Sequence, residues 1–247
     1  MDREFYDLDI QSEFSSGDDS VEELAERAER LGFSGIAVSD YAAELEDLEE
    51  PRSSIREADT GIDLHLGVKL RPGDPEELGD MLQVFREETE VVVVHGGDAD
   101  VNRAATGDTR VDILSHPDME RKDSGLDHVM AKQAAENNVA IEVNIRQLLE
   151  TYGKVRSHVL SHMRRNMMLC QEFGAPVLAS SGATSLHHLR APRELAAFPQ
   201  VLGMEVGESF ETVSDVPRRI LRRAERVTSE DFIRPGVTKA GEGDGDG

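Results

Sequence analysis

The chain has 247 residues, a length that suits one α/β barrel of about 250 residues or two smaller domains. It carries 50 acidic and 27 basic side chains, for a net charge of -23. No apolar run approaches the roughly 20 residues of a membrane span, and the single Cys170 excludes an internal disulfide.

The charge is informative in kind and in place. Only five of the cations are Lys, at 69, 122, 132, 154 and 239. In dilute buffer so acidic a chain repels itself, whereas at molar salt the Debye length is about 3 Å and the repulsion is screened. A carboxylate-rich, Lys-poor surface therefore reads as adaptation to high salt. Residues 1–120 hold 33 acidic and 10 basic side chains, but residues 121–247 hold 17 of each. Within 146–193 there are seven cations and two carboxylates. A net positive stretch on this background suggests contact with a polyanion. Residues 1–6 carry charge without a hydrophobic signal core, so a cytoplasmic protein is expected.

In chain order, 5–10 reads as a first strand. Ser20 with Glu23 forms a capping box for a helix whose buried stripe is Val21, Leu24, Ala25, Ala28 and Leu31, ended by Gly32. Residues 35–39 read as a second strand, 42–58 as helix plus loop, and 62–70 as a third strand. Asp74-Pro75 opens a helix with Leu78, Met81, Leu82 and Phe85 inward. A wholly apolar strand at 91–94 fits a sheet covered on both faces. Strands at 111–114 and 140–145 enclose a helix at 126–138. A long helix at 155–173 presents Leu160, Met163, Met167 and Cys170 on one side, so Cys170 is expected buried and inert. Residues 177–180 are a seventh strand. Helices follow at 192–198 and 217–227, the latter with Ile220, Leu221, Ala224 and Val227 inward. For an eighth strand, only 203–206 is a candidate.

Strands alternating with helices imply a parallel sheet with crossover helices. No G-x-G-x-x-G follows the first strand, which removes support for a dinucleotide fold. The expected architecture is an irregular TIM-like barrel of about seven parallel strands, one domain over 1–232. The Gly/Asp-rich tail, 233–247, is expected to be disordered.

In a barrel the C-terminal strand ends carry the site. They supply Asp7, Asp9, Ser39, Asp40, Lys69, His95, Ser115, His116, Glu142, Asn144, Ser180 and Ser181. Residues 112–118 (DILSHPD) and 140–144 (AIEVN) resemble the central strands of the PHP phosphoesterases. The imidazoles that the resemblance implies are missing: the first strand has Asp7-Leu8-Asp9 in place of His-x-His, and the seventh ends Ser180-Ser181. His95, His116 and Glu142 remain as candidates for one metal. A PHP-type metal-dependent phosphoesterase is thus the alternative reading. His158 and His162, one helical turn apart, read as an exposed polar face.

A second resemblance spans about 4–227. Its carriers are 5–8 (FYDL), 32–39 (GFSGIAVS), Ser115-His116-Pro117, 140–144 and, above all, 164–195. That last block contains Ser180-Ser181-Gly182-Ala183 and then Arg190-Ala191-Pro192-Arg193. On these residues the chain resembles the barrel subunit of archaeal and eukaryotic ribonuclease P. The resemblance implies a PHP-like barrel without its metal centre and without bond breaking of its own. The RNA subunit, with Mg²⁺, would remove the 5′ leader of precursor tRNA. The chain would bind no cofactor, would pair with a small partner (component 2) and other protein subunits, and would meet precursor tRNA only indirectly. Lys154, Arg156, Arg164, Arg165, Arg190 and Arg193 are the candidate RNA contacts, because Arg binds phosphate bidentately and stays charged. A second Arg strip lies at 218, 219, 222, 223 and 226.

Overall fold

The computed structural model describes residues 3–227, together with 232–234 and 237–238. Seven parallel strands lie in sequence order: β1 (Tyr6–Ile10), β2 (Gly35–Tyr41), β3 (Asp63–Leu70), β4 (Val91–His95), β5 (Ile113–Ser115), β6 (Ala140–Asn144) and β7 (Val177–Ser180). The helices around them are α1 (Val21–Leu31), α2 (Glu49–Glu57), α3 (Pro75–Phe85), α4 (Ala99–Gly107), α5 (His128–Asn137), α6 (Ile145–Leu149), α7 (Gly153–Phe173), α8 (Pro192–Leu202), α9 (Val206–Glu211) and α10 (Asp215–Val227). The α/β barrel expectation holds.

Helix ends follow their local chemistry. Ser20 accepts from the Glu23 amide, the Glu23 carboxylate reaches back to the Ser20 amide, and Gly32 closes α1 in the left-handed region at φ 92°. Asp74 caps α3 ahead of Pro75. Helix α4 was not anticipated, although Asp98 caps it and Val101 and Ala105 bury at helical spacing. Strand β5 starts two residues later than expected, and Asp112 just before it forms a buried ion pair with Arg86 at 2.5 Å.

The candidate eighth strand at 203–206 is not a strand: Gly203 caps α8 at φ 114° and Val206 begins α9. The seam between β1 and β7 is bridged instead by residues 212–213. Tyr6 donates to the Val213 carbonyl at 2.9 Å and Ala179 to the Thr212 carbonyl at 3.2 Å. Further up, Gln11 donates to the Ala183 carbonyl at 2.8 Å. Phe232–Arg234 and Val237–Thr238 pair antiparallel, so the tail expected from 233 includes a short β pair. The rest of that tail lies outside the described residues.

The strand period of two builds the interior in layers. Tyr6, Leu8, Ala37, Val91, Val93, Ile113, Ala140 and Leu178 form an apolar layer at the N-terminal end, and Val216, Ile220 and Leu221 of α10 pack onto it as a floor. Two residues further along each strand the inward position turns polar: Ser39, Lys69, His95, Ser115, Glu142 and Ser180. The outward positions Val68, Leu70, Val92, Val94, Leu114 and Ile141 meet the helices in the main core. Truncating the floor, as in Leu221→Ala, should cost about 2–5 kcal/mol, read as a lower midpoint in urea unfolding at constant salt.

Candidate functional site

The barrel mouth is a dry polar layer. Lys69 is fully buried and its ammonium sits 2.5 Å from Asp9 Oδ2, a pair reaching across the interior from β3 to β1. Gly67, two residues before it on β3, leaves space for the Ser39 hydroxyl, since a Cβ there would lie 2.2 Å from Ser39 Oγ. The ammonium also lies 5.8 Å from the Tyr41 ring centre. Ser115 and Ser180 each donate a short hydrogen bond to Glu142, and Asn144 adds one at 3.3 Å. Asp7 points to the seam, where it accepts from the Ser181 amide at 3.1 Å. Asp40, on the outer side, holds the loop after β1 through Ser12 and Ser15.

The imidazoles are tied as well. His95 shares a 2.8 Å hydrogen bond with the Tyr41 hydroxyl, and its ring lies 5.2 Å from that of His116. His116, at a positive φ of 50°, meets Gln147 Oε1 at 3.3 Å. Gln147 donates on to Asp118 at 3.2 Å, and Asp118 faces His162 at 3.4 Å. His162 therefore turns toward a carboxylate from another element, which corrects the expectation of an exposed pair; His158 is exposed.

Burial sets the proton affinities. It pushes Asp7 up to about 7, against the hydrogen bonds from Ser181. It pushes Asp9 up to about 6, with Lys69 opposing and Glu142 reinforcing. For Lys69 burial works against the charge, yet Asp9 and Glu142 outweigh it and hold the ammonium above its ordinary value. Burial, then neighbouring positive groups, drives His95 and His116 down to about 3. Cys170 is buried and pushed up to about 12, inert as expected.

A metal was tested against these donors. The atoms that converge within 4.8 Å of one another belong to Asp9, His116 and Glu142, so Asp9 replaces His95 in the set expected from the sequence. Asp9 already holds the Lys69 ammonium, and Glu142 already accepts from three side chains. The set does not fit a hydrolytic metal centre with an open position. This removes support from the phosphoesterase alternative.

Four candidate cations lie on α7. Lys154, Arg164 and Arg165 are exposed, and Arg156 is half-buried with its guanidinium 5.1 Å from the exposed Tyr152 ring. Arg164 reaches the Val201 carbonyl of α8 at 3.1 Å. Arg190 and Arg193 flank the start of α8, which packs beside α7. In the second Arg strip, Arg218 pairs with Asp215 at 2.5 Å and Arg223 faces Asp112 at 3.9 Å. No described helix is long and apolar enough to cross a membrane.

Comparison with known proteins supplies the family. The model for RNase P subunit p30 matches residues 4–228. The chain belongs to the RNase P subunit p30 family. It is accordingly a protein subunit of ribonuclease P, an endoribonuclease that works as a ribonucleoprotein. Ribonuclease P protein component 3 of Methanosarcina mazei is 36% identical over 234 residues, covering 95% of each chain. The component 3 of Methanococcoides burtonii is 39% identical over 221 residues, covering 90% of this chain and 88% of that one. A chain from archaeal ribonuclease P with mature tRNA superposes with a TM-score of 0.78 at 28% identity, covering 96% of this chain and 99% of that one.

The neutral imidazoles give a direct check. Their folded proton affinity lies below the free value of 6.5, so the stability they contribute is present above that pH and is lost as pH falls toward about 3. The His95 and His116 ring resonances should show no titration from about pH 8 down to about pH 5 by NMR.

Proposed function

We propose that this chain serves ribonuclease P as a non-catalytic scaffold that grips the catalytic RNA through α7 and the start of α8. Among the described residues, Lys154, Arg156, Arg164, Arg165, Arg190 and Arg193 form no ion pair, in a chain with 50 carboxylates. That observation carries the reading. Arginines elsewhere do find acids: Arg30, Arg52, Arg86, Arg103, Arg110 and Arg121 are each paired. Among the described residues Arg3, Arg27, Arg56, Arg71, Lys122 and Arg219 also lack such a pair; Arg71 and Lys122 line one cleft beside His95, and the others lie on separate elements.

Arg156, Arg164 and Arg190 hold backbone carbonyls with some of their N–H groups and keep others for a phosphate, and two parallel hydrogen bonds hold a phosphate better than one point charge does. The phosphodiester chemistry belongs to the RNA subunit with Mg²⁺, and this chain binds no cofactor. Its partners are the ribonuclease P RNA, component 2 and the other protein subunits, with precursor tRNA reached indirectly. The acidic remainder of the surface suits a halophilic cytoplasm. There, counterion release contributes less to RNA affinity, so directed Arg contacts and protein partners contribute more.

The test is reconstitution at high KCl and limiting Mg²⁺ with the RNA subunit and component 2. Omitting this chain should lower precursor tRNA cleavage; an unchanged rate would sink the reading. Arg164→Ala with Arg165→Ala should weaken RNA binding and reduce the salt slope by about 1 per lost phosphate contact, with circular dichroism unchanged.

A further inference from the structure

We infer that the Lys69 side chain is the resident cation of the barrel mouth and that, by holding Asp9, it keeps a divalent ion from the donor set of Asp9, His116 and Glu142. The inference stands apart from RNA binding, and its readout involves no RNA.

The geometry points this way from both sides. Viewed from the donors, a carboxylate on β1, an imidazole after β5 and a carboxylate on β6 converge within 4.8 Å, and all three are buried. One N and two O donors form a set able to take a divalent cation once Asp9 is released from the ammonium. Asp9 Oδ1 is fully buried without a hydrogen-bond partner, so the cluster retains unused acceptor capacity inside the barrel. Viewed from the cation, Lys69 is among the largest fully buried side chains of the described residues. Lysine is almost never buried so completely without a paired charge. Its ammonium bonds Asp9 at 2.5 Å, and Glu142 and Tyr41 add to the field that holds it charged.

The two cations exclude each other. A zinc ion bound to Asp9 would sit about 2.0–2.2 Å from a carboxylate oxygen. The ammonium already lies 2.5 Å from Oδ2 of the same group. Two positive charges that close, shielded from water, repel strongly. The lysine therefore does two things. It neutralises carboxylates that would be costly to bury alone, and it bars divalent metal from donors otherwise able to take it. Removing the ammonium should expose a metal site that the native chain keeps closed.

The experiment uses the full chain, wild type and Lys69→Ala, titrated with Zn²⁺ alone at high KCl and assayed for bound zinc after dialysis. Lys69→Ala should hold one zinc per chain at least about 100-fold more tightly than the wild type, and adding Glu142→Gln or His116→Asn should abolish it. The third substitution separates the mouth from surface histidines such as His158. If Lys69→Ala is unfolded without metal, zinc should restore its circular dichroism, because the ion then supplies the missing charge. Equal zinc binding by wild type and variant overturns the inference. So does a folded variant that takes no zinc, or an unfolded one that zinc fails to restore.

Discussion

The structure turns on charge balance among buried groups. Closing seven strands around a core brings Asp9 and Glu142 together beneath a layer that excludes solvent. Carboxylates so placed must be protonated, hydrogen-bonded or met by a cation. Here the last two are used: Ser115, Ser180 and Asn144 satisfy Glu142, while Lys69 meets Asp9. Removing one member of such a pair typically costs about 3–5 kcal/mol, because the other is left buried and unmatched. The same pair makes the mouth a filled structure and leaves no open coordination position for a reaction.

With the barrel interior occupied, function moves to the outside. In the first half of the chain six arginines pair with its carboxylates, as with Arg52 and Glu88 or Arg103 and Asp127. Helix α7 and the start of α8 leave theirs unspent. At 1 M salt long-range attraction fades within about 3 Å, so contacts of fixed geometry would count for more in the proposed RNA contact. A rigid barrel that presents arginines from packed helices suits that requirement better than a flexible basic tail.

Much of this could be read from the sequence, for definable reasons. A short apolar run located β7 to the residue, and the Ser20 capping box and Gly32 located α1. The strand-end rule gathered the whole polar ring, including Lys69, because parallel strands put their last residues at one end. What it could not give was pairing across the interior. Asp9 and Lys69 are 60 residues apart, and only closure of the barrel brings them together. A Lys inside the apolar run 66–70 was the available signal of a buried partner. Asp118 and His162 were missed for the same reason: their contact spans two elements. The seam was missed because residues 212–213 bridge it through backbone hydrogen bonds, which leave no side-chain pattern.

The most direct measurement is the single-turnover cleavage rate of ribonuclease P reconstituted with a chain carrying Asp9→Asn together with Lys69→Met. Replacing both charges at once leaves neither stranded in the core. A filled mouth that takes no part in the chemistry predicts a rate within about twofold of wild type at saturating Mg²⁺. A rate about 100-fold lower in a fully assembled complex would contradict the account and make the barrel mouth part of the catalytic machinery.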